Sequence, residues 1–190
     1  VDTYGMQPNV VATRDGATPL HWAVAGSTAR EFGVGGHIDV CRFLLSRVSD
    51  RRAYVNQVTL DGNSPLMWAS WSGTLDTVKL MVRQRANTDI ANRNGCTVAH
   101  WAASGGDLSV CRYLFEIAKV DFSTPNDGGN TPLTHAVAFG HGEVVQWLRN
   151  TFECSSDHTA HKLANDFVQW NGTDDRRKSV LALFEEWDMQ

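Results

Sequence analysis

The sequence contains no run of about 18 apolar residues, the length that a membrane-spanning helix requires, and no pattern of a secretory signal peptide. It also lacks a basic excess, because 17 lysines and arginines face 21 aspartates and glutamates for a net charge of -4. Nucleic-acid binding usually shows a basic stripe. The composition therefore argues against direct membrane insertion and against a nucleic-acid partner. Because the first residue is Val1, we expect either a removed N-terminal segment, which could have held a targeting signal, or a fragment.

Cysteine is scarce, with four residues in 190, and the sequence does not support a disulfide framework. Cys41 and Cys111 occupy the same place in the similar strings VCRFL and VCRYL, which predicts small packed side chains on a helix. Cys96 and Cys154 fall in predicted turns or loops. Free thiols fit a reducing compartment inside the cell, such as the cytoplasm, the nucleus or the interior of an organelle.

One nine-residue string is present four times. It reads DGATPLHWA at residues 15–23 and returns as DGNSPLMWA, NGCTVAHWA and GGNTPLTHA. The hydroxyl residues of the copies are Thr18, Ser64, Thr97 and Thr131, so the steps are 46, 33 and 34 residues. Self-similarity near a fixed period of 33 residues predicts a stack of small helical units and not one globule.

Each copy predicts the start of a helix. The hydroxyl side chain can cap free N–H groups, and Pro19, Pro65 and Pro132 follow at a position where proline is tolerated. Glycines about eight residues later, Gly73, Gly106 and Gly140, predict the helix end. A second helix follows with apolar residues at helical spacing: Val40, Phe43, Leu44; Val78, Met81, Val82; Val110, Tyr113, Leu114; Val144, Trp147, Leu148. The paired Asp-Gly, Asn-Gly or Gly-Gly predicts a tight turn between units.

With the T-P-L-H-x-A motif at this period, the chain resembles the ankyrin repeat family over residues 9–152, and more weakly beyond them. The resemblance implies an all-α fold, an ankyrin-repeat solenoid of stacked helix-turn-helix units with short β-hairpin or turn connections. We expect a single domain over residues 1–190. Its parts are the tail of a preceding repeat (1–13), repeat 1 (14–58), repeat 2 (59–91), repeat 3 (92–125), repeat 4 (126–152) and atypical capping helices (153–190).

The first repeat is 13 residues too long. Nine extra residues fall within 26–35, in a glycine- and serine-rich loop that contains Phe32, and four more fall between Asp39 and Gly62. Insertions in repeat proteins lie on a surface and are often functional, although a loop that merely tolerates extra length fits equally well. In the capping segment, residues 159–170 and 176–187 predict two helices separated by a turn at 171–172.

Trp22, Trp68 and Trp101 occupy one equivalent position and predict an internal ladder of aromatic side chains. Ala23, Ala69, Ala102 and Ala136 occupy the next position, where small residues let helices approach. The ankyrin resemblance implies that His21 and His100 bond backbone and turn groups, and that His37 and His141 follow the glycine turn. His135 stands at the position of the ladder tryptophans.

We expect no metal, no cofactor and no enzymatic activity. Cys154, His158 and His161 offer ligand types that zinc accepts, but a closed site needs a fourth ligand and Asp157 is the only nearby candidate. No nucleophile–histidine–acid set, phosphate-binding loop or dinucleotide fingerprint is present. The expected partner is therefore another protein and not a small-molecule substrate.

The ankyrin resemblance implies that a partner docks on the concave groove formed by the turn tips and the first helices. The candidate binding residues are Arg14, Phe32, Leu60, Asp61, Asn63, Trp71, Ser72, Arg93, Asn94, Ser104, Asp127, Asn130 and Phe139. Trp71 and Phe139 stand out because the others are mostly small or polar. Either aromatic is a binding anchor, or it is covered within the monomer, as Trp71 would be by the long first-repeat loop.

Three functions fit the sequence. The first is a protein-interaction module that binds through the groove. The second is a structural subunit held permanently in a large assembly, of which an organellar assembly is one case. The third is the regulatory repeat region of a longer enzyme. Fold by itself does not decide between them.

Overall fold

The structure is a computed structural model, and it describes residues 14–26, 37–72, 74–152 and 175–188. The chain divides into two compact units, residues 1–93 and 94–190, and each is described by itself. Within the described ranges all regular secondary structure is helical, which confirms the expected all-α class. The N-terminal tail, the first-repeat insertion beyond Gly26 and the predicted helix at 159–170 lie outside the described residues.

The first unit contains five helices in its described residues: α1 (Pro19–Ala25), α2 (Ile38–Ser46), α3 (Arg51–Val55), α4 (Pro65–Ser72) and α5 (Leu75–Arg83). Helix α1 packs against α2 and α4, and α5 packs against α2 and α4. Two helix pairs, α1 with α2 and α4 with α5, are therefore stacked on each other. Stacking is what stabilises such units, because a single pair buries its apolar face only against a neighbour.

The second unit has five helices in its described residues: α6 (Val98–Gly105), α7 (Leu108–Glu116), α8 (Pro132–Ala138), α9 (Gly142–Phe152) and α10 (Asp175–Asp188). Helix α6 packs against α7 and α8, and α9 packs against α7 and α8. Helix α10 packs against α8 and α9 and buries Val180 and Phe184. It confirms the helix predicted at 176–187.

The first helix of each pair begins as predicted. Thr18, Thr97 and Thr131 precede α1, α6 and α8 with extended backbones. The Thr131 hydroxyl oxygen accepts the N–H of Thr134 at 3.3 Å, and the Ser64 hydroxyl oxygen accepts the N–H of Met67 at 3.3 Å. These bonds satisfy N–H groups that have no partner within the helix.

Glycine is required where α6 ends. Gly106 has a φ of +80°, in the left-handed region that glycine reaches without steric cost, and its N–H donates to the carbonyl of Ala102 at 3.0 Å. A Cβ atom at this position would overlap the ring of His141. Gly140 also has a positive φ, whereas Gly73 lies outside the described residues.

The connections between helix pairs are turns that are joined by isolated backbone hydrogen bonds. In the first unit, Leu60 N–H donates to the Asp15 carbonyl at 2.7 Å, and Arg93 N–H donates to the Asp61 carbonyl at 2.9 Å. In the second unit, Asp127 N–H donates to the Asn94 carbonyl at 3.1 Å. Each turn tip is thereby fixed to the tip before it within its unit.

The cores contain the small residues that the motif predicted. Ala23, Ala69, Ala102 and Ala136 are all buried, as are Cys41 and Cys111 on the second helices. None of the three described cysteines forms a disulfide bond. The prediction of closely packed alanines and apolar cysteines is therefore confirmed for these residues.

The four extra residues between Asp39 and Gly62 coincide with a short helix. Helix α3 is capped by Asp50, whose carboxylate accepts the N–H of Ala53 at 2.9 Å. It buries Tyr54 and Val55, and Arg51 Nε donates to the Leu45 carbonyl at 2.9 Å. The excess length therefore adds a packed element to the first repeat.

The interior position predicted for Trp22 is wrong, because its side chain is 43% exposed. The apolar spacing of α2 also does not correspond to a buried side, since Val40 is 47% exposed and Phe43 is 55% exposed. On α2 the neighbouring helices cover Cys41 and Leu45 instead. Apolar spacing identifies the apolar side of a helix, but it does not say whether a neighbouring element covers that side.

Candidate partner-binding surface

The motif histidines are fixed between a helix start and the following turn. His21 Nδ1 accepts the N–H of Thr18 at 3.1 Å, and its Nε2 lies 3.1 Å from the carbonyl oxygen of Asn63. A carbonyl oxygen only accepts, so the proton is assigned to Nε2. His100 repeats the arrangement, with Thr97 N–H at 3.1 Å and the Asn130 carbonyl at 3.0 Å. The bonding implied by the family resemblance is confirmed for both histidines.

Both rings are neutral structural groups. Burial lowers the pKa of His21 and of His100 from the ordinary value of 6.5, and the hydrogen bonds to Asn63 and Asn130 offset part of that shift. Since the charged form of a buried histidine loses hydration, neither ring is suited to proton transfer at the surface. They hold the turns in place beneath the candidate binding residues.

His135 occupies the position of the ladder tryptophans and builds a polar contact there. Its Nδ1 lies 2.9 Å from the Ser104 hydroxyl oxygen, and that hydroxyl donates to the His100 carbonyl at 2.9 Å. The His135 ring also meets the His100 ring edge-on, with centroids 5.1 Å apart. Burial, with His100 adding to the effect, lowers the pKa of His135 to about 4.

Ser104 is therefore a correction to the predicted surface. It was expected at an exposed position that contacts a partner, but it is buried and its hydroxyl is bonded to His135 and His100. The position directly after Ala102 and Ala103 differs between the copies of the motif, so the sequence does not mark this serine as buried. The burial of Ser104 follows instead from its hydrogen bond to His135, which occupies the ladder position of the next repeat.

The turn tips of the first unit are exposed and charged. Arg93 and Asp61 form an ion pair of 3.7 Å between side chains that are each 70% exposed, and Leu60 at the same tip is exposed. Asn63 is half-buried, because its carbonyl accepts from His21 and its Oδ1 accepts from Asn92 Nδ2 at 2.9 Å. Arg14 is exposed at the preceding turn.

The turn tips of the second unit carry no large side chain. Asn94 and Asp127 are exposed and Asn130 is half-buried. The turn is held from within, because Asn126 Oδ1 accepts the N–H groups of Gly128 and Asn130 at 3.0 and 2.9 Å. The exposed groups at this tip are therefore polar.

The first helices of the first unit present an aromatic cluster, formed by Trp22, Trp68 and Trp71. The rings of Trp22 and Trp68 meet edge-on with centroids 5.1 Å apart. Trp71 lies one turn further along α4 and is 40% exposed, on the same side of the helix as Trp68. Ser72 beside it is half-buried, with its hydroxyl donating to the Ala69 carbonyl at 2.9 Å.

In the second unit, an exposed aromatic side chain follows α8. Phe139, which follows α8, is 49% exposed and stacks on His141 with centroids 6.4 Å apart and planes at 4°. His141 Nε2 donates to the Ser104 carbonyl at 2.9 Å. Its ring is therefore fixed beneath Phe139. Phe32, the other predicted aromatic contact, lies outside the described residues.

Trp22 is a surface residue that sequence reasoning missed. It was assigned to the interior because Trp68 and Trp101 share its motif position. No signal in the motif separates the three, since the difference is how much of each ring its neighbours cover. Trp68 and Trp101 are half-buried.

The described residues contain no group of three or more histidine, cysteine, aspartate or glutamate side chains that could hold a metal ion. Among the helices in these ranges, none combines the length and apolar character that crossing a bilayer demands. The candidate zinc ligands Cys154, His158 and His161 lie outside the described residues.

Helix pairs stack within each unit, histidines bond the turns, and the side chains that differ between repeats are left exposed. These features define the class of helical repeat proteins. A family model described as "Ankyrin repeats (3 copies)" matches residues 2–92 and 66–160. The chain belongs to the ankyrin repeat family.

Three relatives illustrate the range of proteins that contain such repeats. The chain is 38% identical over 74 residues to the 26S proteasome non-ATPase regulatory subunit 10 of Dictyostelium discoideum, covering 39% of this chain and 32% of that protein. It is 35% identical over 80 residues to the Notch-regulated ankyrin repeat-containing protein B of Danio rerio, covering 42% and 72%. It is 31% identical over 85 residues to the mitochondrial liver isoform of glutaminase of Rattus norvegicus, covering 45% and 14%.

The chain thus spans about a third of the proteasome subunit and a smaller part of the glutaminase. Ankyrin repeats generally serve as protein-interaction modules, and this general role extends to the chain through its family. The individual partners and activities of these relatives do not follow from it.

Proposed function

We propose that the chain is a non-catalytic protein-interaction module whose first unit binds a protein partner through the aromatic cluster and the neighbouring turn tips. The observation that carries the proposal is the exposure of Trp71 at the end of α4. Pro65, Leu66, Met67, Ala69 and Ser70 of this helix are buried. On a helix that is mostly buried, an indole with 40% of its surface exposed beside the exposed Trp22 forms an apolar patch of the kind that marks an interaction site.

Aromatic side chains are the residues that most often dominate binding energy. Trp71 and Trp22 both expose roughly two-fifths of their surface, so each is held by its own unit and still has area to offer. A rigid, partly packed indole loses little conformational entropy on binding. This supports the anchor interpretation of Trp71 over complete burial beneath the first-repeat loop.

The charged tip residues would set the choice of partner. An exposed ion pair such as Arg93–Asp61 contributes about 0–1 kcal/mol to stability, so its charges are not needed for the fold. Charges at the rim of an interface steer encounter and exclude wrong partners. In the second unit, Phe139 and the polar tip residues Asn94, Asp127 and Asn130 would add contacts of the same kind.

We predict that Trp71→Ala weakens partner binding by about 2 kcal/mol or more, while it lowers the free energy of unfolding by about 1 kcal/mol. Cross-linking with mass spectrometry in native extract identifies the partner and the contacting residues. Titration of that partner onto the purified variant then measures the loss. The matched control is Ile117→Ala, which removes another exposed apolar side chain and should leave binding unchanged.

A loss of several kcal/mol in unfolding free energy for Trp71→Ala would instead place this side chain in the core. Equal weakening by Trp71→Ala and Ile117→Ala would show that binding is nonspecific. Cross-links that avoid α1, α4 and the turn tips altogether would refute the proposed surface.

The second candidate is a subunit held permanently in an assembly. The naming of one relative as a proteasome regulatory subunit and the exposed tryptophans of the first unit favour it. Size-exclusion chromatography with light scattering separates the two functions. A module elutes as a soluble monomer, whereas an obligate subunit aggregates or co-purifies with its neighbours.

The third candidate is the regulatory repeat region of a longer enzyme, which the match to part of a glutaminase favours. A full-length transcript that continues into a catalytic motif would support it. We further propose a reducing compartment inside the cell as the place of action, because Cys41, Cys96 and Cys111 form no disulfide bond and reduced cysteines are usual in such compartments.

A further inference from the structure

Helix α2 leaves two apolar side chains in solvent. Val40 and Phe43 are three residues apart, so they lie on one side of the helix, and about half of each is exposed. The strings VCRFL and VCRYL make Val40 equivalent to Val110 of α7, which is fully buried. The repeat pattern therefore covers this position elsewhere, and in the first repeat it does not.

Four arginines lie on α2, on α3 or between the two helices. Arg42, Arg47, Arg51 and Arg52 are all exposed, and together with Val40 and Phe43 they form what we call the α2–α3 basic face. The Arg47 guanidinium lies over the Phe43 ring, 4.9 Å from its centroid. Arg51 Nε is fixed by the Leu45 carbonyl.

The charge of this segment is opposite to that of the chain. Residues 37–56 contain the four arginines and two aspartates, whereas the whole chain has a net charge of -4. One of the two, Asp50, is engaged as the cap of α3. The α2–α3 basic face therefore combines a local excess of positive charge with an exposed apolar pair.

We propose that the α2–α3 basic face is a second docking surface, separate from the aromatic cluster, and that its occupant is an acidic amphipathic helix of a protein partner. Two exposed apolar residues on one side of α2 give a partner helix an apolar strip against which its own anchors at i, i+3 and i+4 can pack. Glutamate or aspartate side chains that flank the anchors of the partner helix pair with the arginine guanidinium groups in bidentate geometry. A nucleic acid would satisfy the arginines but would leave Val40 exposed, and the negative charge of the whole chain opposes it.

The probe is a fluorescein-labelled synthetic helix of about 15 residues, with leucine and phenylalanine on one side and glutamate on the other. One control peptide replaces the apolar residues by serine, and a second replaces glutamate by lysine. Fluorescence anisotropy with the full chain should show binding of the probe in the micromolar range and at least about tenfold weaker binding of both controls. Raising the salt from about 0.05 to 0.5 M should weaken the interaction further.

Two variants test the surface. Phe43→Ser and the double variant Arg42→Glu/Arg52→Glu should each weaken probe binding at least about tenfold, with unchanged circular dichroism because all three side chains are exposed. Trp71→Ala should leave probe binding unchanged, which separates this surface from that of the proposed function. A dissociation constant above about 1 mM would overturn the proposal. Probe binding that is the same for both variants as for the unchanged chain would also overturn it. So would stronger binding of anionic phospholipid vesicles or of single-stranded DNA than of the peptide.

Discussion

His21 and His100 hold their rings between a helix start and the carbonyl of the following turn. One ring nitrogen accepts and the other donates, so the neutral form satisfies every polar atom of the imidazole. His135 is held by other contacts, namely a hydrogen bond with Ser104 and an edge-on ring contact with His100. Single residues thus join segments that are about 30 to 40 positions apart in the sequence.

Buried thiols should be unreactive in the native protein. Burial raises the pKa of Cys41 to about 11 and that of Cys111 to about 12, so almost no thiolate, the reactive form, is present at pH 8. In a Cys96→Ser/Cys154→Ser variant, we expect Ellman's reagent to modify fewer than one thiol natively and two in guanidinium chloride. Rapid modification of both native thiols would show that the second helices open on the time scale of the assay.

At the scale of elements, each helix pair depends on a defined turn between its two helices. Gly106 ends α6 in the left-handed conformation, and Asp107 then caps α7 by accepting the N–H of Ser109 at 2.8 Å. The chain reverses within two residues because one has no side chain and the next supplies an acceptor.

Gly106→Ala should lower the free energy of unfolding by at least about 2 kcal/mol, since it adds left-handed strain and overlap with the His141 ring. The matched control is Gly142→Ala in the first turn of α9. There a Cβ atom meets its nearest neighbour at an ordinary 3.6 Å, and alanine favours the helix by up to about 1 kcal/mol. Urea unfolding of both variants measures the difference. Equal effects of the two substitutions would remove the special role of Gly106.

Over the whole molecule, buried histidines make stability depend on pH. The pKa of His21, His100 and His135 is lowered in the folded protein, mainly by burial. Below about pH 6.5 the unfolded chain takes up protons that the folded chain does not. Histidine-linked stability is therefore complete above that pH and is lost as the pH falls towards about 4, the folded value for His135.

We expect the urea midpoint to fall steadily between pH 7 and pH 5, with each such proton contributing at most about 1.4 kcal/mol per pH unit. His135→Trp, which restores the residue of the other repeats, should make this dependence shallower. An unchanged slope in His135→Trp would show that His135 is readily protonated in the folded protein.

The candidate surface could be predicted only in part. The motif placed Leu60, Asp61, Arg93 and Asn94 on turns, and each is exposed in the structure. Ser104 could not be placed, because its burial depends on a histidine 31 residues further along the chain. Whether any of these residues binds a partner stays a prediction.

The sequence by itself determined the helix starts and the glycine turn that ends α6. These features depend on local hydrogen bonds and backbone conformations, which a recurring string of residues specifies each time it occurs. The tertiary structure decided which apolar positions are covered. Val40 and Val110 have the same local sequence, and one is exposed while the other is buried, because burial depends on the neighbouring element and not on the helix that carries the side chain.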